Sequence, residues 1–101
     1  MKAYRRFKRC IGQGNLWLYV VSLLSKRGPT HGYAIIQELR KLGFKISTVY
    51  GYVLLKRMVA DGVLLETIQN GRKLYTVSET AQENFKRAIN DLQELIKLLT
   101  E

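Results

Sequence analysis

Apolar residues recur along this chain with two different periods, and the points where the period changes divide it into elements. From Leu16 the repeat is helical: Leu16, Val20, Leu23 and Leu24 make an inner stripe, widened by Trp17, Leu18, Tyr19 and Val21. A helix so apolar on nearly every side is expected to be buried against more than one neighbour. Asn15 is the expected N-cap, and Gly28 and Pro29 end the helix after about Lys26. A second helix is predicted from His31 to about Leu42, capped by Thr30, with Tyr33, Ile35, Ile36 and Leu39 facing inward and Gly43 as its stop. A third opens at Ser47 or Thr48 and runs to Ala60 or Asp61, with an inner stripe of Tyr52, Leu55, Met58 and Val59.

The period then shortens. VLLETIQ and RKLYTV are β-rich runs on either side of Asn70-Gly71, a dipeptide suited to the positive φ values of a two-residue type I′ hairpin. Helical spacing returns after Ser78, or after Thr80 with Glu83 three residues later. In this last helix Phe85, Ala88, Leu92, Leu95 and Leu99 step by three and four, with Ile89 and Ile96 alongside. So wide a stripe, arriving after the core elements are complete, is expected to pair with the same helix of a second copy; folding back on its own domain is the alternative. The expected fold class is mainly α with a small β-hairpin: a winged helix-turn-helix with a long C-terminal dimerisation helix. Its parts are a basic arm over 1–14, the winged domain over 15–78 and the dimerisation helix over 79–101.

Charge adds a partner. Of the formal +9 carried by 101 residues, segment 1–11 holds +5, 12–78 holds +6 and 79–101 holds −2. A basic body with a more basic arm suits a polyanion, because neutralising phosphates releases condensed counterions. With one cysteine and one histidine, and without HExxH, a Walker-type loop or GxGxxG, the chain offers no metal cluster, no cofactor site and no nucleophile–base pair, so an enzyme is not expected. The longest apolar run is too short to span a bilayer, and a cytoplasmic setting without membrane contact is expected.

Double-stranded DNA is the partner these features suit. On the third helix Ser47, Thr48, Tyr50, Gly51, Leu54 and Arg57 fall on or near the outer face, with Lys56 beside phosphates. Gly51 either removes a side chain where the helix approaches DNA or lets two helices pack closely. Asn70, Arg72 and Lys73 would place the wing on the backbone. Arg5, Arg6, Lys8 and Arg9 would follow phosphates as a flexible arm, unless Tyr4, Phe7 and Ile11 make the arm an amphipathic helix that packs on the dimer. Thr30, His31 and Tyr33 stand at the first turn of the second helix, where free N–H groups and the dipole favour a phosphate; alternatively His31 is structural, bonding across the turn.

The stretch GPTHGYAI, 28–35, resembles the GPxHGYxI signature of PadR-like transcriptional regulators. STVYGYVLLKRMVADGVL, 47–64, is similar to that family's SxGTxYPxLxRLxxxGL, and RKLYTVS, 72–78, to its RKYYxLT. Together the likeness spans 15–99. It implies a dimeric DNA-binding regulator, expected to be a repressor because repression needs only occupancy of a promoter. The departures are Val49 for glycine, Tyr50 for threonine, Val53 for proline and Leu74 for tyrosine, so a target sequence does not carry over. Two rivals stand beside this reading. One is a winged-helix module that recruits another protein; the other is a sensor of a small-molecule effector, with an aromatic pocket near Trp17 and the last helix.

Overall fold

The computed structural model describes all residues from 1 to 101. Its elements are α1 (Lys2–Ile11), a turn of 3-10 helix (Gln13–Asn15), α2 (Leu16–Arg27), β1 (Thr30–His31), α3 (Gly32–Lys41), α4 (Thr48–Ala60), β2 (Leu64–Gln69), β3 (Arg72–Val77) and α5 (Glu79–Thr100). The three helices expected from the apolar repeat are therefore α2, α3 and α4. The strands form one antiparallel sheet in the order β1-β3-β2.

The core is built where the inner faces of α2, α3 and α4 meet the sheet. Leu16, Val20 and Leu24 of α2, Ile35, Ile36 and Leu39 of α3, and Leu55 and Met58 of α4 are buried together with Ile46, Leu64 and Tyr75. Removing this apolar surface from water is the main force assembling the unit. The hairpin has the expected two-residue turn: Gln69 pairs with Arg72, and Asn70 and Gly71 take φ values of 53° and 75°. Ser78 opens α5 as expected, its Oγ accepting from the Ala81 N–H at 3.1 Å while donating to the Gly62 carbonyl at 2.6 Å. One side chain thus caps α5 and ties it to the turn after α4.

Several expectations are corrected. Thr30 does not cap the second helix: it is buried, its hydroxyl donates to the Gly28 carbonyl at 2.8 Å, and its backbone pairs with Tyr75 in β1. The N-cap of α3 is His31, in extended geometry and without a side-chain cap bond. A two-residue strand has no period to read, which is why β1 escapes a pattern search. Asn15 is the N-cap of α2 as expected, but without a side-chain cap bond; its Nδ2 donates to the Cys10 carbonyl, and its Oδ1 accepts from Trp17 Nε1 at 3.3 Å. With Tyr19 OH donating to the Ile11 carbonyl, this supplies partners for the free carbonyls at the end of α1. The arm is helical, as α1, with Tyr4, Phe7 and Ile11 exposed and no residue buried. Tyr33, expected inside, is exposed.

The inner face of α4 keeps the expected Leu55 and Met58, with Val59 half-buried against the core, and differs from expectation at one position. Gly51, Leu55 and Met58 are buried, and Tyr52 is exposed. Bulk decides this: a Cβ on Gly51 would lie 2.6 Å from both Cγ1 and Cδ1 of Ile36, so α3 and α4 meet where only a glycine fits. Gly51 therefore belongs to the helix–helix contact and not to the DNA face.

Candidate nucleic-acid interface

Arg40 fixes the turn from α3 into α4. Its guanidinium donates to the Ile46 carbonyl at 2.8 Å, to Thr48 Oγ1 at 2.9 Å and to Gln37 Oε1 at 3.3 Å. A planar donor fork reaching three acceptors holds the two helices at one relative orientation. Ser47 Oγ accepts from the Tyr50 N–H at 3.1 Å as the N-cap of α4. The oxygens of both hydroxyls expected to face a duplex, those of Ser47 and Thr48, thus accept bonds that position the helix, and their O–H groups remain available as donors.

Beside the first turns of α4 lies a groove of about 590 Å³, lined by His31, Gly32, Tyr33, Ala34, Tyr52, Arg72, Lys73 and Tyr75. Four elements contribute. β1 brings His31, the start of α3 brings Tyr33, α4 brings Tyr52, and β3 brings the wing cations. Gly32 makes the convergence possible, since a Cβ there would meet the Tyr52 ring at 2.8 Å and the Tyr75 ring at 3.2 Å. Tyr33 OH accepts from Gln37 Nε2 at 2.8 Å, and Lys73 Nζ lies 3.6 Å from Glu66 Oε2. Burial, with Glu66 and Tyr52 adding to it, pushes the Tyr75 hydroxyl above the ordinary tyrosine range, so it remains a neutral donor at the base of the groove.

The other expected contacts are distributed unevenly. Lys56 and Tyr50 are exposed on α4, and Asn70 is at the tip of the wing. Arg57 is exposed on the opposite flank, where with Trp17, Asp61, Asn84, Arg87 and Asp91 it lines a cavity of about 800 Å³ between α4 and α5. Leu54, expected outside, is half-buried there. Arg5, Arg6, Lys8 and Arg9 stand on exposed α1, and none of them lines the groove. Arg40 and Tyr52 were missed by pattern reading. Tyr52 shares the helical spacing of the inward residues Leu55 and Val59 but yields the inner position to Gly51, and Arg40 reads as an ordinary basic residue near a helix end.

On α5 the expected dimerisation residues divide along the helix. Phe85 and Ala88 are half-buried against the domain, whereas Ile89, Leu92, Leu95, Ile96 and Leu99 are exposed in the single chain. No helix is long and apolar enough to cross a membrane.

Helices packed at a rigid turn, a three-stranded sheet ending in a basic hairpin and a long following helix define a winged helix-turn-helix protein. The chain belongs to the transcriptional regulator PadR-like family, whose sequence model matches residues 20–87, and it is accordingly a transcriptional regulator and not an enzyme. Among solved structures it is similar to a PadR family transcriptional regulator from Eggerthella lenta DSM 2243, at 26% identity and a TM-score of 0.70 over 99% of this chain and 98% of that one. A PadR-like transcriptional regulator from Bacillus cereus strain ATCC 14579 shares the fold at 24% identity and a TM-score of 0.67, covering 88% and 95%. So does a transcriptional regulator from Clostridium thermocellum, at 18% identity and a TM-score of 0.69, covering 86% and 88%. No curated protein matches the sequence at a significant level.

Proposed function

We propose that this protein is a cytoplasmic, sequence-specific DNA-binding repressor that works as a homodimer, with α4 in the major groove and the β2–β3 wing on the flanking backbone. The observation that carries the reading is the groove beside α4, which gathers His31, Tyr33, Tyr52, Arg72 and Lys73 from four elements onto one side of the molecule. Hydroxyl and imidazole groups there suit phosphate oxygens, and Arg72 and Lys73 supply charge without closing the groove. Repression follows most simply, because occupancy of a promoter is sufficient. The exposed stripe of Leu92, Leu95, Ile96 and Leu99 supports pairing through α5. Two copies related by a two-fold axis would present their α4 helices about 34 Å apart, on a near-palindromic operator.

The test is binding to a fragment from upstream of the protein's own gene, beside a scrambled duplex, across a salt series. The upstream fragment is expected to bind more tightly, with log affinity falling linearly in log salt. Replacing Arg72 and Lys73 together by alanine should make that slope shallower by about 1.8. Equal binding to both duplexes, or none at low salt, overturns the reading and favours a winged-helix module that recruits protein.

A second reading coexists with the first, favoured by the cavity that Trp17 and Arg57 line against α5. A small planar effector seated there would touch both the reading helix and the dimerisation helix. Quenching of the single tryptophan by aromatic compounds, together with weakened DNA binding, is its expected signature.

A further inference from the structure

We infer that α4 reads thymine 5-methyl groups in the major groove through Val49 and Val53, so that each half-site carries A·T pairs with those methyls turned toward the helix. The inference rests on the DNA-binding reading above and assigns its sequence preference.

Val49 is 77% exposed and Val53 38% exposed, on a helix whose opposite face is core. Four residues apart, they stand one above the other on the outer side. Their separation along the axis is about 6 Å, from a rise of 1.5 Å per residue. Successive bases of a strand are about 3.4 Å apart, so two side chains at this spacing reach bases one or two steps from each other.

The hydroxyl oxygens at the same end of α4 already accept bonds within the protein. Ser47 Oγ caps the helix at 3.1 Å, and Thr48 Oγ1 accepts from Arg40 at 2.9 Å. Their O–H groups and the Tyr50 hydroxyl remain donors for phosphates or base edges, and the two valines are the apolar groups that the first turns present. A valine cannot bond to the acceptors of guanine or the amino groups of adenine and cytosine; pressed against them, it would strip water from groups it cannot satisfy. The thymine methyl is the one apolar feature of the major-groove edge, so attraction there and penalty elsewhere select the same base. Valine is also stiff at χ1 and loses little freedom on contact.

The surroundings favour a duplex over a protein surface. Lys45 and Lys56 are exposed and without an acidic partner, and no carboxylate lies between Leu39 and Ala60. A pair of valines is also far smaller than the roughly 800 Å² per partner of a stable protein interface.

The experiment selects duplexes of about 25 base pairs from a randomised pool with the full-length protein, then replaces each thymine of the selected site in turn by deoxyuridine, which lacks only the methyl. One or two positions in each half-site are expected to lose about fourfold in affinity, the factor corresponding to about 0.8 kcal/mol for one buried carbon. That loss should shrink toward unity in Val49→Ala or Val53→Ala. Both positions are exposed and alanine is the better helix former, so the variants keep the fold. No effect of deoxyuridine at any thymine, losses undiminished in both alanine variants, or wild-type binding by the double variant would each overturn the inference while leaving DNA binding standing. If no duplex is enriched and none binds at low salt, the DNA-binding reading falls and takes this one with it.

Discussion

Replacing Gly51 by alanine tests whether the middle of α4 is a packing contact or a DNA contact. The new Cβ would sit 2.6 Å from two carbons of Ile36 and 3.2 Å from a third. Carbons in contact prefer about 3.5–4.0 Å, so two of the three approaches are too close by about 1 Å. Ile36 is fully buried and branched at Cβ, which leaves it little room to turn aside. Overpacking of this kind costs about 3 kcal/mol, the upper part of the usual range, and the helix propensity of alanine returns about 1. A net loss of about 2 kcal/mol is expected, seen as a Tm lower by about 8–16 °C at fixed protein concentration. The diagnostic step repeats the substitution in an Ile36→Ala background, measured by urea unfolding in the cold. That background is itself destabilised by about 2–5 kcal/mol, but the clash is gone and Gly51→Ala should there stabilise by about 1 kcal/mol. The same effect in both backgrounds would refute the packing argument. Loss of DNA affinity at unchanged stability would return Gly51 to the DNA face.

Three further outcomes are expected. Replacing Leu92 and Leu95 by serine removes four half-exposed side chains from a dimer, about 4 kcal/mol in all, so sedimentation should record a dimer weaker by about a thousandfold while circular dichroism retains the winged domain. The Glu38 carboxyl is held below its ordinary value chiefly by a hydrogen bond from Lys41, against desolvation and with Arg27 assisting. A depressed folded-state value contributes stability above the unfolded pKa that is lost as pH falls through the folded one, so urea midpoints should drop below pH 4.5 and drop less in Glu38→Gln. Ser78→Ala removes both the cap of α5 and the tie to the Gly62 carbonyl, and should cost about 1–2 kcal/mol with faster amide exchange in the first turn of α5.

Much of this architecture is legible because it is local. Helical spacing marked α2 to α5 within a residue or two, Asn70-Gly71 specified the hairpin through its own backbone preference, and Ser78 announced α5 through one hydroxyl. The face that α4 turns inward was not local. It depends on the fit of Ile36 against a position without a Cβ, which takes Gly51 into the core, the packing alternative, and leaves Tyr52, expected inside, in the groove. Likewise β1 exists only because β3 offers Thr30 and His31 a partner, and Arg40 acts only because Ile46 and Thr48 come within its reach. Periodicity along a chain can therefore determine which segments are helices and which residue types could meet a duplex, since both follow from neighbours in sequence. Which of those residues share a surface is set by contacts between segments, where one missing methyl or one guanidinium decides the angle, and that is written only in the packed molecule.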